Sequence, residues 1–317
     1  MLFRSKLDTR TEQTRSVDPT LAYPAAHYRA AWTLPLAFSK RDHKVLYFAN
    51  QRLFRTDDGG DHWAPISPDL TREDAGVPAN LDAPTAADDS HLDKRRGVIY
   101  TIAPSPLDAK SLWVGTDDGL VWRSNDEGAH WQQVTPQALT PWSKVAGIEP
   151  SHFDPNTAYL AIDRHRLDDD TPYLYRTTDG GKAWTRIDAG IPRDSFVNVV
   201  REDPHHRGLL YAGTERGMYV SFDDGAHWQA LQQNLPMTSV RDIDVHGDDL
   251  VIATHGRGFW IMDDVSALRQ MAGLHADTAT LFRPAAAIRV RRASFTGTPF
   301  PKRSEERRVG KECRSRW

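Results

Sequence analysis

Tyr173-Leu-Tyr-Arg-Thr177-Thr-Asp179-Gly-Gly181-Lys-Ala-Trp184 is the stretch on which the reading of the fold turns. Its skeleton, Thr177-x-Asp179-x-Gly181-x-x-Trp184, returns three more times along the chain. The copies are Thr56, Asp58, Gly60 and Trp63; Ser124, Asp126, Gly128 and Trp131; and Ser221, Asp223, Gly225 and Trp228. Their tryptophans lie 68, 53 and 44 residues apart, so one supersecondary unit recurs with loops of variable length. Short apolar runs accompany the copies, as in Leu112-Trp-Val-Gly-Thr116, Ala158-Tyr-Leu-Ala-Ile162, Leu210-Tyr-Ala-Gly-Thr214 and Leu250-Val-Ile-Ala-Thr254. Repeats of roughly 40 to 50 residues built from short strands are the signature of propeller blades. The fold class expected is therefore all-β: a β-propeller of about five four-stranded blades forming an incomplete ring.

The box has a physical reading of its own. Gly supplies a positive φ in a tight turn, Asp accepts neighbouring backbone N–H groups, and Trp packs over the hairpin as its local core. Its aspartates are expected to hold turns rather than to catalyse. The pattern is similar to the Asp-box, or BNR, repeat of sialidases, xyloglucanase-like glycoside hydrolases and sortilin-type propellers.

Composition narrows the class further. Among 317 residues there are ten Trp, twenty Pro and twenty-one Gly, which suits short, turn-rich strands. No apolar run reaches the roughly 18 residues that span a bilayer, and the first ten residues carry no signal-peptide core. Residues 303–317 resemble the translation of a common sequencing-adapter oligonucleotide and are set aside as an artefact tail. Without them the chain carries 34 Lys and Arg against 40 Asp and Glu, and no Cys. A mildly acidic chain with no basic stripe argues against a nucleic-acid partner, and the absence of thiols removes disulfides, thiolate metal sites and Cys nucleophiles.

Along the chain, residues 1–31 read as a remnant strand of a preceding blade and residues 32–265 as the blades themselves. Residues 266–302 read as an exit helix or linker opening a truncated β segment. The connection 67–96 is long, rich in Asp, Ala and Pro, and of a kind that is usually functional or disordered. Thr140-Pro-Trp-Ser-Lys-Val, Asp163-Arg-His-Arg-Leu-Asp-Asp, Arg201-Glu-Asp-Pro and Thr254-His-Gly-Arg-Gly-Phe-Trp-Ile-Met-Asp-Asp look like a large bacterial BNR-repeat family. That family is related to sortilin N-terminal propellers and is often labelled glycosyl hydrolase or xyloglucanase-like. The resemblance covers about residues 7–302. It implies a C-terminal-side piece of a longer, exported protein whose other domains are partners, and a periplasmic or extracellular location that the chain itself leaves unknown.

Blade geometry sorts the loops. Successive strands are antiparallel, so the boxes share one face with the turns between first and second strands. Loops joining second to third strands, and blade to blade, lie on the other, where ligand sites are expected. The ligand-binding candidates there are Arg52, Asp117, Asp118, Trp142, Lys144, Arg164, His165, Arg166, Arg216, His255 and Arg257. A sugar cleft needs aromatic faces for pyranose rings and carboxylates for hydroxyls. Hydrolysis needs two carboxyls, roughly 5 Å apart for retention or 6.5–9.5 Å for inversion. Asp163, Asp168, Asp169 and Glu215 are the catalytic candidates. In the xyloglucanase-like enzymes the two catalytic Asp residues come from different propeller domains, and neither is matched here. Polar loops and Asp-Asp turns are also ordinary surface features, and ion pairs bracing adjacent blades are the plain alternative for Arg164–Arg166 and His255–Arg257. Asp168–Asp170 lack EF-hand spacing and His205-His206 falls on the box side, so neither a metal nor a cofactor is expected. The ligand expected is a polysaccharide, with a peptide as the alternative.

Overall fold

The computed structural model describes residues 5–24, 27–81, 94–271, 274 and 279–283. The tail expected to be an artefact (303–317), most of the expected truncated β segment within 266–302 and the middle of the 67–96 connection lie outside them. A hairpin, β1 (Ser5–Asp8) and β2 (Gln13–Ser16), precedes five blades. Blade one holds β3 (Leu36–Phe38), β4 (Leu46–Ala49), β5 (Leu53–Thr56) and β6 (Ala64–Pro65); blade two holds β7 (Ile99–Pro104), β8 (Leu112–Thr116), β9 (Val121–Ser124) and β10 (Gln132–Gln133). Blade three holds β11 (Lys144–Pro150), β12 (Ala158–Arg164), β13 (Asp169–Thr177) and β14 (Thr185–Arg186). Blade four holds β15 (Val197–Glu202), β16 (Leu210–Thr214), β17 (Met218–Ser221) and β18 (Gln229–Ala230). Blade five has three strands, β19 (Ser239–His246), β20 (Asp249–His255) and β21 (Phe259–Met262), then helix α1 (Ser266–Met271). Every blade is an antiparallel meander in chain order. Where the box is missing, no fourth strand follows among the described residues.

Apolar residues of the inner strands are buried at the four contacts between successive blades. Tyr47, Leu53, Ile99 and Val114 fill the first interface, and Trp113, Val121, Val145 and Leu160 the second. Tyr159, Leu174, Val200 and Trp228 fill the third, and Tyr211, Met218, Val240 and Ile252 the fourth. Each such side chain, once buried, contributes roughly 1.5–3 kcal/mol. Close approach also demands a small residue on the second strand: a Cβ on Gly115 or Gly213 would come within 2.4 Å of Val145 or 2.6 Å of Val240.

The boxes hold turns as expected. Thr177 Oγ1 donates to Asp179 Oδ1 and accepts Gly181 N–H, while Asp179 Oδ1 accepts the Lys182 and Ala183 N–H groups. Gly60, Gly128, Gly181 and Gly225 all adopt φ between 86° and 93°. The tryptophan has a further role beyond a local core. Its indole N–H donates to the preceding blade: Trp131 to Ile66 O, Trp184 to Val134 O and Trp228 to Ile187 O. A polar indole edge at an apolar contact needs such an acceptor. The box Trp therefore staples blades together.

The segment 164–170 lengthens the hairpin between β12 and β13 relative to its counterpart in blade four. Asp163 and Arg164 end β12, Asp169 begins β13, and Arg164 pairs with Asp169. Only a 3₁₀ turn, His165–Leu167, and Asp168 in the left-handed region join them.

Candidate functional site on the loop face

Asp163 is the centre of the polar groups on this face. It follows the five apolar residues Ala158–Ile162 near the end of β12 and is 1% exposed. Oδ1 accepts the His165 backbone N–H at 2.9 Å and meets His165 Nδ1 at 2.6 Å; Oδ2 lies 2.5 Å from Lys144 Nζ. Strand register makes this pair, since Lys144 opposes Asp163 across β11 and β12. Burial alone would push the Asp163 carboxyl up. The His165 hydrogen bond and the Lys144 charge outweigh it and hold the group well below the usual carboxylate range. It is a fixed anion.

Asp117 and Asp118 have the opposite character. Asp117 accepts Val98 N–H at 2.7 Å and lies 3.7 Å from Arg166. Burial, then the neighbouring Asp118 charge, push its carboxyl up to about 7. Asp118 is also raised by burial, against the pull of its hydrogen bonds from Thr116 Oγ1 and Arg72 N–H. Both sit inside the blade two turn and brace it.

A third set surrounds Tyr173. Its hydroxyl donates to Asp169 Oδ2 at 2.7 Å, and the Arg164 and Arg186 guanidinium groups cover its ring at 5.1 and 4.5 Å. Arg164 also pairs with Asp169 at 3.4 Å. Burial would raise the Asp169 carboxyl, but the Tyr173 and Thr171 hydrogen bonds win and lower it. Phe196 then carries the arrangement into blade four: its ring stacks on His165 at 5.3 Å, and its carbonyl accepts Glu215 N–H. Glu215 Oε2 accepts the Ser239 hydroxyl at 2.7 Å and pairs with Arg241 at 3.3 Å. An arc of polar contacts, bridged by Phe196, runs from blade two to blade five.

Several candidates stand outside this arc or play another part. Trp142 offers no face to a sugar. It is buried, adopts φ of 64°, and its indole N–H donates to the Ala75 and Gly76 carbonyls, pinning the 67–96 connection. Its expected stacking role is corrected accordingly. Asp168 caps the 3₁₀ turn with a left-handed backbone, and Arg216 pairs with Asp194 at 3.2 Å. Arg52 and Arg257 are exposed on the loops of blades one and five, and His255 is exposed at the end of β20. Sequence reasoning missed Tyr173, Arg241 and Asn198, whose amide reaches Val240 O and Glu215. A charged Arg241 within an inner-strand run was the signal available for the second.

A cavity of about 750 Å³ runs along the inner strands of all five blades and meets the arc through Asn198 and Arg241. None of the loop-face candidates lines it. Its lining extends instead to His43, His152 and Pro204, in turns on the box side. Among the described residues no group of three or more His, Cys, Asp or Glu is placed to hold a metal ion, and no helix is long and apolar enough to cross a membrane.

These features fit a class: a BNR-like, Asp-box-like propeller resembling sortilin and the xyloglucanases. A family model for Sortilin-Vps10 (sortilin, neurotensin receptor 3) matches residues 119–255. An oligoxyloglucan-reducing end-specific xyloglucanase of Emericella nidulans is 24% identical over 109 residues, which is 33% of this chain and 13% of that enzyme. A vacuolar protein sorting/targeting protein 10 of Laccaria bicolor is 27% identical over 112 residues, 33% of this chain and 6% of that protein. The crystal structure of a xyloglucanase from Xanthomonas campestris superposes with a TM-score of 0.51 at 19% identity, covering 73% of this chain and 36% of that one. The chain thus spans a small part of the length of its curated relatives, and the structural likeness shows the fold alone.

Proposed function

We propose that the chain is a saccharide-binding propeller unit directed at a β-glucan of the xyloglucan type, binding rather than cleaving through its own residues. The carrying observation is the partly exposed set His165, Glu215 and Arg241, whose donors and acceptors suit sugar hydroxyls and whose His165 is held by the buried Lys144–Asp163 pair, in a chain similar to xyloglucanases. Cleavage needs a protonated carboxyl that reaches the glycosidic oxygen. Asp163 and Asp169 are held ionised, and Asp117, which is raised, is 5% exposed with Oδ1 committed to Val98. Because Trp142 is buried and the Tyr173 ring is capped by two arginines, recognition rests on hydrogen bonds rather than on stacking. The same family likeness implies a periplasmic or extracellular setting, testable by cell fractionation. Glycan-array binding together with reducing-sugar release from xyloglucan tests the reading. Binding without release is expected; release by this chain alone would overturn the division of labour. A peptide ligand is the alternative, favoured by the sortilin match over residues 119–255; an arc that binds peptides and no β-glucan would replace the saccharide.

A further inference from the structure

The hairpin β1–β2 belongs to the ring by its contacts. In blades two, three and four the box Trp donates to the residue directly after the fourth strand of the preceding blade, Ile66, Val134 and Ile187. The box glycines Gly128, Gly181 and Gly225 close on those same three residues. In blade one, Trp63 donates to Val17 O at 2.8 Å and Gly60 closes on the Val17 side chain. Val17 directly follows β2. By this equivalence β2 occupies the fourth-strand position of another blade and β1 the third.

The inner strands of that blade are not among the described residues. Among the described residues β1 pairs with β2 alone, leaving its other edge open. An opening of about 440 Å³ lies between the hairpin and blade one, lined by Val17, Leu36, Phe38, Leu46 and Trp63. Leu36 is 55% exposed, whereas the residues at its register position in blades two, three and four, Ile102, Ile148 and Val200, are buried against the preceding blade. Blade five shows the matching defect. Phe259 and Ile261 are 80% and 62% exposed, while Met218 and Val220, at the same positions in blade four, are buried.

We propose that the gap between blades five and one is an interface for a sixth blade, formed by β1–β2 and two inner strands contributed by the same polypeptide ahead of residue 1. The connection argues for the same polypeptide. In all five blades three or four residues separate the second strand from the third, so a partner for β1 in the same polypeptide would end at about residue 1. The inner strands carry alternating apolar residues that cover Leu36 and Phe38 on one side.

The test compares the 317-residue chain with the polypeptide extended upstream by about 45 residues, one propeller repeat. Hydrogen exchange reads the β1 amides in both. Extension is expected to slow exchange at β1 at least tenfold. Leu36→Asp is expected to leave the urea midpoint of the short chain unchanged and to raise the unfolding constant of the extended chain at least tenfold. Equal β1 exchange in the two proteins would overturn the proposal. So would a dimer of the short chain, seen by sedimentation, in which β1 becomes protected, because a second copy would then fill the gap.

Discussion

At the scale of single residues, the loop face is governed by how each carboxyl is partnered. Removing the charge of Asp163 leaves Lys144 buried without its counter-ion, and breaking such a pair costs roughly 3–5 kcal/mol. Asp163→Asn should therefore lower the urea midpoint by a corresponding amount. Asp163 and Asp117 also oppose each other in pH. The Asp163 folded pKa lies below its unfolded value, so its stabilisation is present above about pH 4 and lost as pH falls further. The Asp117 folded pKa is raised to about 7, so its contribution is full below about pH 4 and lost as pH rises through 7. Asp117→Asn should flatten the decline in Tm between pH 5 and 8; an unchanged slope would show that another group carries it. None of this could be read in sequence. Asp163 stood out as a candidate carboxylate, but its partner Lys144 comes from strand register, and Trp142 is buried by a segment more than 60 residues away.

The strand–box–strand unit is where sequence was most legible, because its contacts are local. Ser or Thr, Asp and Gly bond within five residues of one another, so spacing alone specifies the turn. The tryptophan staple was not legible, since its acceptor lies in the previous blade. Trp184→Phe keeps the apolar bulk and loses the bond to Val134 O, which should cost roughly 0.5–1.5 kcal/mol by denaturant titration. Gly181→Ala places a Cβ 2.7 Å from Val134 at φ of 91°, and should cost more than about 1 kcal/mol. Gly247→Ala, at φ of 63° with nothing within 4 Å, is the control that separates backbone strain from the clash. Equal losses at the two glycines would remove the blade contact from the explanation. The pairing of Arg164 with Asp169, which lengthens the blade-three hairpin, was not legible, because the Asp-rich composition of 163–170 resembles a turn.

At the scale of the molecule, the five blades were legible from the repeat count, and the irregular fifth from its missing box. The two apolar faces bounding the gap were not, because Phe259 and Ile261 look like ordinary strand residues until their equivalents are seen buried. In the short chain these side chains add nothing to stability, so Phe259→Ser with Ile261→Thr should change unfolding by no more than about 0.5 kcal/mol while reducing self-association. Light scattering against concentration reads the second effect. The channel contributes a surprise of position: its cavity extends toward the box side, while the charged arc lies on the loop face and meets it only at Asn198 and Arg241.

The central claim is that this arc, and not the boxes, is the ligand surface. Titration of the isotope-labelled chain with a xyloglucan oligosaccharide, followed residue by residue by NMR, tests it most directly. Saturable shifts are predicted at His165, Tyr173, Glu215 and Arg241, with the box residues Asp58, Asp126, Asp179 and Asp223 unmoved. Saturable shifts confined to the boxes, or none at any saccharide concentration, would contradict it.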